Sequence, residues 1–401
     1  MMKPLELLQR LIQFDSQTES PGESEITRFL VDYMGALGIE THLEEVEPGR
    51  YNAIGVWRGF GQGKSLMFNG HVDTNPVSEG WTVDPWAGTC DDIFIYGIGV
   101  SNMKAGCAAY LSAIQQLIHA GFQPRGDVIL TFVIGELQNG VGTHQMLRNG
   151  WRSDYFVNCE PTDLQALTMH AGAFNFDVEL VGETRHISKR EDAVDAIAAA
   201  CVVIPKFNAL QFSGAESEEH QRINRCNVGV VRGALSREFR EWRPPQIADF
   251  VRFSGTARFS PSQSMESVLG DMRDVLERLD KDFPGIKATV ERQVKRENRP
   301  YFTPFAVDKD AEVVRYLNQA WREVRPGNQP TGAIEPCCFF GSDAAHLADA
   351  GIQGVVCGPG GKYNTMPDER VEIVDYLDAI EIYKKMTLQI CGPGKEQSGH
   401  R

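Results

Sequence analysis

The sequence predicts an α/β fold with a mainly parallel central sheet and an inserted α+β segment, and three patterns predict it. Val128 to Ile134 and Tyr155 to Cys159 are nearly continuous apolar runs, which suits strands covered by helices on both faces. Strand and helix patterns alternate through the first part of the chain, the mark of a layered α/β domain. From Phe174 the pattern switches to strict alternation, Phe174-Asn175-Phe176-Asp177-Val178-Glu179-Leu180, as in a sheet with one face in water. A chain of 401 residues also exceeds what one hydrophobic core organises, so two domains are expected.

Taken in order, Leu5, Leu8, Leu11 and Ile12 repeat at helical spacing within Leu5 to Phe14. Ser20-Pro21-Gly22-Glu23 opens a second helix through Ile26, Phe29, Leu30, Tyr33 and Met34, which stops at Gly38. Strands follow at Asn52 to Trp57 and Ser65 to Asn69, separated by the turn Gly59-Phe60-Gly61-Gln62-Gly63. Beyond a loop with Trp81 and Trp86, Ile93 to Tyr96 precedes a glycine-rich turn, and Asn102 to Ala120 reads as a helix with Met103, Cys107, Leu111, Ile114 and Ile118 on one stripe. The inserted segment carries a helix from Glu191 to Val203, strands near Asn227 to Val231 and Phe250 to Phe259, a helix from Met265 to Leu279 and a strand from Ile286 to Val294. The α/β pattern resumes with a helix through Val313, Leu317 and Trp321, a strand Gly354 to Cys357 and a last helix from about Val371, while residues beyond Cys391 read as a frayed, polar end. The expected domains are 1–173 with 296–401, and 174–295 as the insertion.

Composition narrows the function. A formal net charge of −14 argues against nucleic acid, whose phosphates demand a basic face. No apolar run approaches a bilayer span, and Met1-Met2-Lys3-Pro4 lacks a signal peptide's apolar stretch, so a cytoplasmic protein with no membrane partner is expected. Nine cysteines scattered through apolar segments read as thiols of a reducing compartment.

The chemistry-bearing residues sit at strand ends. His71 and Asp73, two residues apart after Ser65 to Asn69, leave the strand on one face, and a carboxylate behind an imidazole fixes its tautomer. In isolation the pair reads more readily as a turn cap. Glu136 follows the run Val128 to Ile134 and Glu160 follows Tyr155 to Cys159, and ligands of open α/β sheets gather at the carboxyl ends of strands.

Four stretches then carry a resemblance: Asn69-Gly70-His71-Val72-Asp73-Thr74; Tyr96-Gly97-Ile98-Gly99-Val100-Ser101-Asn102-Met103-Lys104-Ala105-Gly106; Gly135-Glu136-Leu137-Gln138-Asn139-Gly140-Val141-Gly142-Thr143; and Glu160-Pro161-Thr162. In order and spacing they resemble the M20 metallopeptidase family, which includes acetylornithine deacetylase, succinyl-diaminopimelate desuccinylase, aminoacylase and glutamate carboxypeptidase. The likeness continues through Gly182 to Ser188, Arg258, Gly341-Ser342-Asp343-Ala344, Gly358-Pro359-Gly360 and Asn364-Thr365-Met366-Pro367-Asp368-Glu369.

The resemblance implies a zinc-peptidase-like catalytic domain, an inserted lid and dimerisation domain, and a homodimer. It implies a small amino-acid-derived substrate whose amide or related C–N bond is hydrolysed with a pair of zinc-type ions. Carried over, His71 is the first metal-ligating histidine with Asp73 behind it, Glu136 the general base and Glu160 an acidic ligand. His186 is the lid histidine that stabilises an oxyanion, within an unusual Thr184-Arg185-His186-Ile187-Ser188, and Arg258 grips a substrate carboxylate. Three ligand positions depart: the bridging Asp is Asn102, the Glu after the base is Leu137, and the C-terminal His is Asn364. Leucine has no donor and neutral carboxamides bind such ions poorly, so the second ion is expected to be absent and Asn102 and Asn364 to face substrate instead. One divalent ion on His71 and Glu160, zinc by preference, or none at all, is the expected cofactor. His71 with Asp73 then also serves as an acid/base pair.

Alternatives stand beside these roles. His186 also reads as a strand-end polar residue and Arg258 as half of a local ion pair. Asp343 and His346 read as structural, and Cys337-Cys338 as buried thiols. For the whole chain, the alternatives to amide hydrolysis are another C–N chemistry, such as condensation, cyclisation or elimination, and a non-catalytic binding or regulatory dimer.

Overall fold

The computed structural model describes residues 2–241, 244–294 and 299–392. The expected boundary between residues 295 and 296, and the polar end from residue 393 onward, lie outside the described residues. The chain divides into two compact units: Met1–Met169 with Phe305–Cys337 and Ser342–Arg401, and His170–Pro304 with Cys338–Gly341.

In the first unit an eight-stranded sheet runs, edge to edge, Glu40–Glu47, Arg50–Trp57, Val128–Val133, Leu66–His71, Tyr155–Asn158, Gln353–Val356, Ala166–Leu167 and Thr331–Gly332. The four central strands are mutually parallel, and the antiparallel pairings lie toward the edges apart from one short pairing at Val356. Val128–Val133 and Leu66–His71 are buried along their whole length, as their apolar runs require. Helices Ala105–His119 and Ile373–Cys391 pack on each other and on Leu66–His71, and Gly22–Ala36 packs on Arg50–Trp57. Their core includes the fully buried Phe68, Tyr110, Phe132 and Tyr383, with Phe68 and Tyr110 stacked at 5.7 Å. Each such side chain contributes about 1.5–3 kcal/mol by leaving water.

The second unit is a four-stranded antiparallel sheet in the order Arg225–Ala234, Phe250–Phe259, Gly172–Val181 and Lys287–Arg292. Phe174, Phe176, Val178 and Leu180 face inward, as the alternation predicts, against helices Ala196–Asn208 and Met265–Glu277.

Three expectations are corrected. The helix expected from Asn102 begins at Ala105, because Gly99 is left-handed (φ 70°) and Asn102 and Met103 leave helical geometry, with Asn102 at φ −119° and ψ 86°. The helix expected from Glu191 begins at Ala196, where Asp195 accepts the Ile197 and Ala198 N–H groups at 2.9 and 3.0 Å. Strand Glu40–Glu47 has no counterpart among the strands expected from sequence, since an edge strand with no fully buried residue gives little periodic signal.

The parallel pairing of Gln353–Val356 with Tyr155–Asn158 depends on a missing side chain. A Cβ at Gly354 would stand 2.3 Å from the fully buried Phe156 ring. Gly354→Ala is therefore expected to cost about 1–3 kcal/mol in urea unfolding, and an unchanged midpoint would show that this packing is slack.

Candidate active site

Because the central strands run parallel, Leu66–His71, Val128–Val133, Tyr155–Asn158 and Gln353–Val356 all end on one edge of the sheet. His71 is the last residue of its strand, Glu136 and Glu160 follow theirs closely, and Asn364 lies on the segment after the fourth.

His71 is buried, and its Nδ1 lies 2.9 Å from the Asp73 main-chain oxygen and 3.4 Å from Asp73 Oδ1. Both neighbours are acceptors, so Nδ1 carries a proton. The carbonyl is the nearer orienting group, and the carboxylate sits behind it. Nε2 faces Asn102 Oδ1 at 3.1 Å, Glu160 Oε1 at 3.6 Å and Glu136 Oε2 at 4.0 Å. A nitrogen ringed by oxygens holds a second proton or meets a cation. Burial works against charge on this imidazole, but Glu160, Asp73 and Glu136 outweigh it and hold its pKa well above the ordinary value.

Asp73 ties the histidine to the base. Its Oδ1 accepts the Glu136 N–H at 3.2 Å, and its Oδ2 accepts the Leu137 N–H at 3.3 Å and the Thr18 hydroxyl at 3.1 Å. Burial would raise this carboxyl, yet these donors and His71 hold it below the usual range. The Glu136 turn is fixed from the other side by buried Asn52, which accepts the Ile134 N–H at 3.1 Å and donates to the Gly142 oxygen at 2.9 Å. Glu136 is pushed well above the ordinary carboxylate range by burial, against the pull of His71 and with help from Glu160, Asp343 and Asp73. Glu160 is raised by burial too, and His71 opposes it.

The metal-ligand chemistry separates into two answers. His71, Glu136 and Glu160 offer donor atoms within 4.8 Å of one another, a set that suits one ion. The set for a second ion does not fit. Leu137 is 37% exposed and has no donor, and Asn364 Oδ1 is engaged by the Ser101 hydroxyl. Asn102 Oδ1 already faces His71 Nε2.

Three further residues shape the cleft in ways that spacing does not signal. Glu369 is buried and accepts three main-chain N–H groups, from Gly99 at 3.2 Å, Ser101 at 2.8 Å and Asn102 at 3.0 Å, which clamps the loop bearing Asn102. Burial pushes its carboxyl up to about 7. Lys104, wholly buried and brought down to about 7 by desolvation, donates to the Phe14 oxygen at 3.0 Å. Asp343 is fully buried, with neither carboxyl oxygen in good hydrogen-bond geometry; Thr143 only biases it from nearby, and burial raises it to about 7. The only signal for these was their place inside the stretches that carry the resemblance; nothing in spacing reveals which backbone groups a carboxylate will clamp.

His186 and Arg258 belong to the second unit. His186 is exposed, with Nδ1 3.0 Å from Ser188 Oγ, and half-buried Arg258 donates to Thr256 Oγ1 at 3.3 Å.

Comparison with known proteins follows this geometry. Residues 67–389 match the sequence profile described as Peptidase family M20/M25/M40. The chain is similar to N-formyl-4-amino-5-aminomethyl-2-methylpyrimidine deformylase of Bacillus subtilis, at 26% identity over 98% of this chain and 96% of the relative. It is also similar to succinyl-diaminopimelate desuccinylase of Sulfurimonas denitrificans, at 30% identity over 89% of this chain and 91% of the relative. A tripeptidase of Staphylococcus aureus shares the fold, with a TM-score of 0.76 at 22% identity over 96% of this chain and 98% of that one.

Removing the Glu369 carboxylate leaves three N–H groups without their acceptor. Glu369→Ala is expected to cost about 3 kcal/mol or more in urea unfolding, and Glu369→Gln, which keeps one acceptor oxygen, to recover part of that loss. Equal midpoints for Glu369→Ala and the unaltered protein would contradict the clamp.

Proposed function

On the premise that this chain belongs to peptidase family M20/M25/M40, we propose that it is a hydrolase cleaving the amide bond of a small amino-acid derivative, with Glu136 as general base and room for at most one divalent ion. The observation that carries this reading is the buried Glu136 carboxyl, fixed by Asp73 through its own N–H and lying 4.0 Å from His71 Nε2. A carboxyl whose affinity for protons is raised by burial is suited to take one from water and return it to a leaving amine. His71, held by Asp73, shares the positive charge that this step requires at the cleft. His71 and Glu160 are the residues that would hold a zinc-type ion, which when bound supplies Lewis-acid polarisation of the acyl group. Arg258 and His186 take the substrate-carboxylate and oxyanion roles implied for the inserted domain.

The relatives named as a deformylase and a desuccinylase support formyl and succinyl amides among the substrates to be tried. The substitutions at Asn102, Leu137 and Asn364 favour a second reading, in which the same cleft runs another C–N chemistry. We also assign the protein to the cytoplasm, in keeping with the absence, among the described residues, of a helix long and apolar enough to cross a membrane. A homodimer forms, in this reading, through the inserted domain, whose edge strand Arg225–Ala234 exposes Val230 (52%) and Val231 (51%).

A screen over N-formyl, N-acetyl and N-succinyl amino acids, with and without chelator, tests the activity. Turnover of at least one class is expected, with Glu136→Gln reducing it about 10²–10⁴-fold; activity that survives in Glu136→Gln removes the base assignment. Light scattering is expected to give a dimer, and Val230→Asp with Val231→Asp to give monomers. A monomeric unaltered protein would contradict the dimer.

A further inference from the structure

The turn that carries Glu136 ends in two consecutive left-handed residues, Asn139 (φ 67°) and Gly140 (φ 74°). Glycine adopts that conformation freely, but at Asn139 it costs energy and persists only where the surroundings enforce it. The peptide between the two is gripped at both ends. Its N–H, on Gly140, donates to the Glu136 main-chain oxygen at 3.0 Å and also approaches the Gly135 oxygen at 3.1 Å. Its carbonyl, on Asn139, lies 2.9 Å from His346 Nε2. A carbonyl can only accept, so Nε2 carries a proton and donates, whether the ring is neutral or charged. His346 is buried on the helix Ala344–Asp349, with the His144 ring 5.9 Å from its own. That helix comes so close to the turn because residue 140 is glycine: a Cβ there would stand 2.4 Å from Asp343 Oδ1 and 2.8 Å from His346 Nε2.

We propose that His346 is a positioning residue for Glu136, acting through the Asn139–Gly140 peptide. The inference rests on the reading of Glu136 as the general base of an amide hydrolase. Asp73 holds the Glu136 and Leu137 N–H groups, and Arg50 Nη1 donates to Gln138 Oε1 at 2.8 Å. His346 supplies the corresponding hold on Asn139. Without its donor the Asn139 carbonyl loses that partner, and a peptide in a costly conformation gains freedom to rotate. Carbonyl and N–H share one plane, so rotation also turns the Gly140 N–H away from the Glu136 oxygen. The Glu136 carboxyl then loses its fixed place, and a base displaced by about 1 Å loses about 10²-fold in rate.

His346→Leu removes the donor, and His346→Gln keeps an N–H group at similar reach. Amide hydrogen exchange of the full chain, followed by mass spectrometry over residues 135–142, gives a readout that needs no activity. Exchange there is expected to rise about 10-fold in His346→Leu and to fall back toward that of the unaltered protein in His346→Gln. The central strand Val128–Val133 serves as the control and is expected to stay protected in all three. With the fastest substrate of the amide screen, assayed well below the melting temperatures, His346→Leu is expected to lower kcat about 10²-fold with KM within about twofold. His346→Gln is expected to recover most of that loss. A role in folding alone would lower the melting temperature and leave the kcat of folded protein in place. Should His346→Leu not fold, His346→Met removes the donor with a more adaptable side chain. Unaltered exchange over residues 135–142, a kcat that does not fall, or no recovery in His346→Gln would each overturn the proposal. If exchange rises as expected but the unaltered protein turns over no amide, it is the hydrolase reading that fails, and the hold of His346 on the turn stands.

Discussion

The cleft depends on one carboxylate. Asp73 lies behind His71 and at the same time accepts the N–H groups of Glu136 and Leu137 and the Thr18 hydroxyl. Through that single group the end of strand Leu66–His71 is locked to the turn after Val128–Val133. The imidazole and the Glu136 carboxyl therefore hold a fixed separation. Its donors keep Asp73 ionised although it is fully buried, and that charge in turn supports the charge on His71.

A second constraint is the balance of charge. Burial is the largest influence on the proton affinities of Glu136, Glu160 and Asp343, and the charged groups that act on them next are His71, Asp73 and other acids of the same cluster. Several buried carboxylates around one imidazole cannot all ionise unless a cation joins them. Either some of the acids hold protons or one ion sits among His71, Glu136 and Glu160. Without the ion, burial and the neighbouring acids leave Glu136 with a raised affinity for a proton, and a cation beside it would lower that affinity. In the proposed one-ion reading Asn102 and Asn364 are weak ligands, because each is neutral and has its oxygen in another contact.

Much of this was legible in the sequence, for physical reasons that differ by residue. The buried strands Val128–Val133 and Tyr155–Asn158 are visible because strands covered on both faces must be apolar, and a strand lies at Phe250–Phe259, where the sequence places one nearby. His71, Asp73, Glu136 and Glu160 were visible as charged residues at strand ends, where a parallel sheet gathers them. The start of the helix at Ala105 was not, because a carboxylate 267 residues from Asn102, Glu369, holds that loop in its non-helical path. Lys104 was hidden in a similar way, since nothing local requires a lysine to be buried against the Phe14 oxygen. Asp343 reads in sequence as a structural polar residue of a glycine-rich stretch, and only the tertiary fold makes it a buried acid without a good partner before a short helix.

That this cleft accommodates one divalent ion at most is tested most directly by counting ions. Purified protein saturated with zinc, freed of excess by gel filtration and analysed by elemental mass spectrometry, should contain no more than one ion per chain, and Glu160→Ala should contain none. Two ions per chain in the unaltered protein would contradict the assignment of residues 102, 137 and 364 as positions that no longer hold a metal.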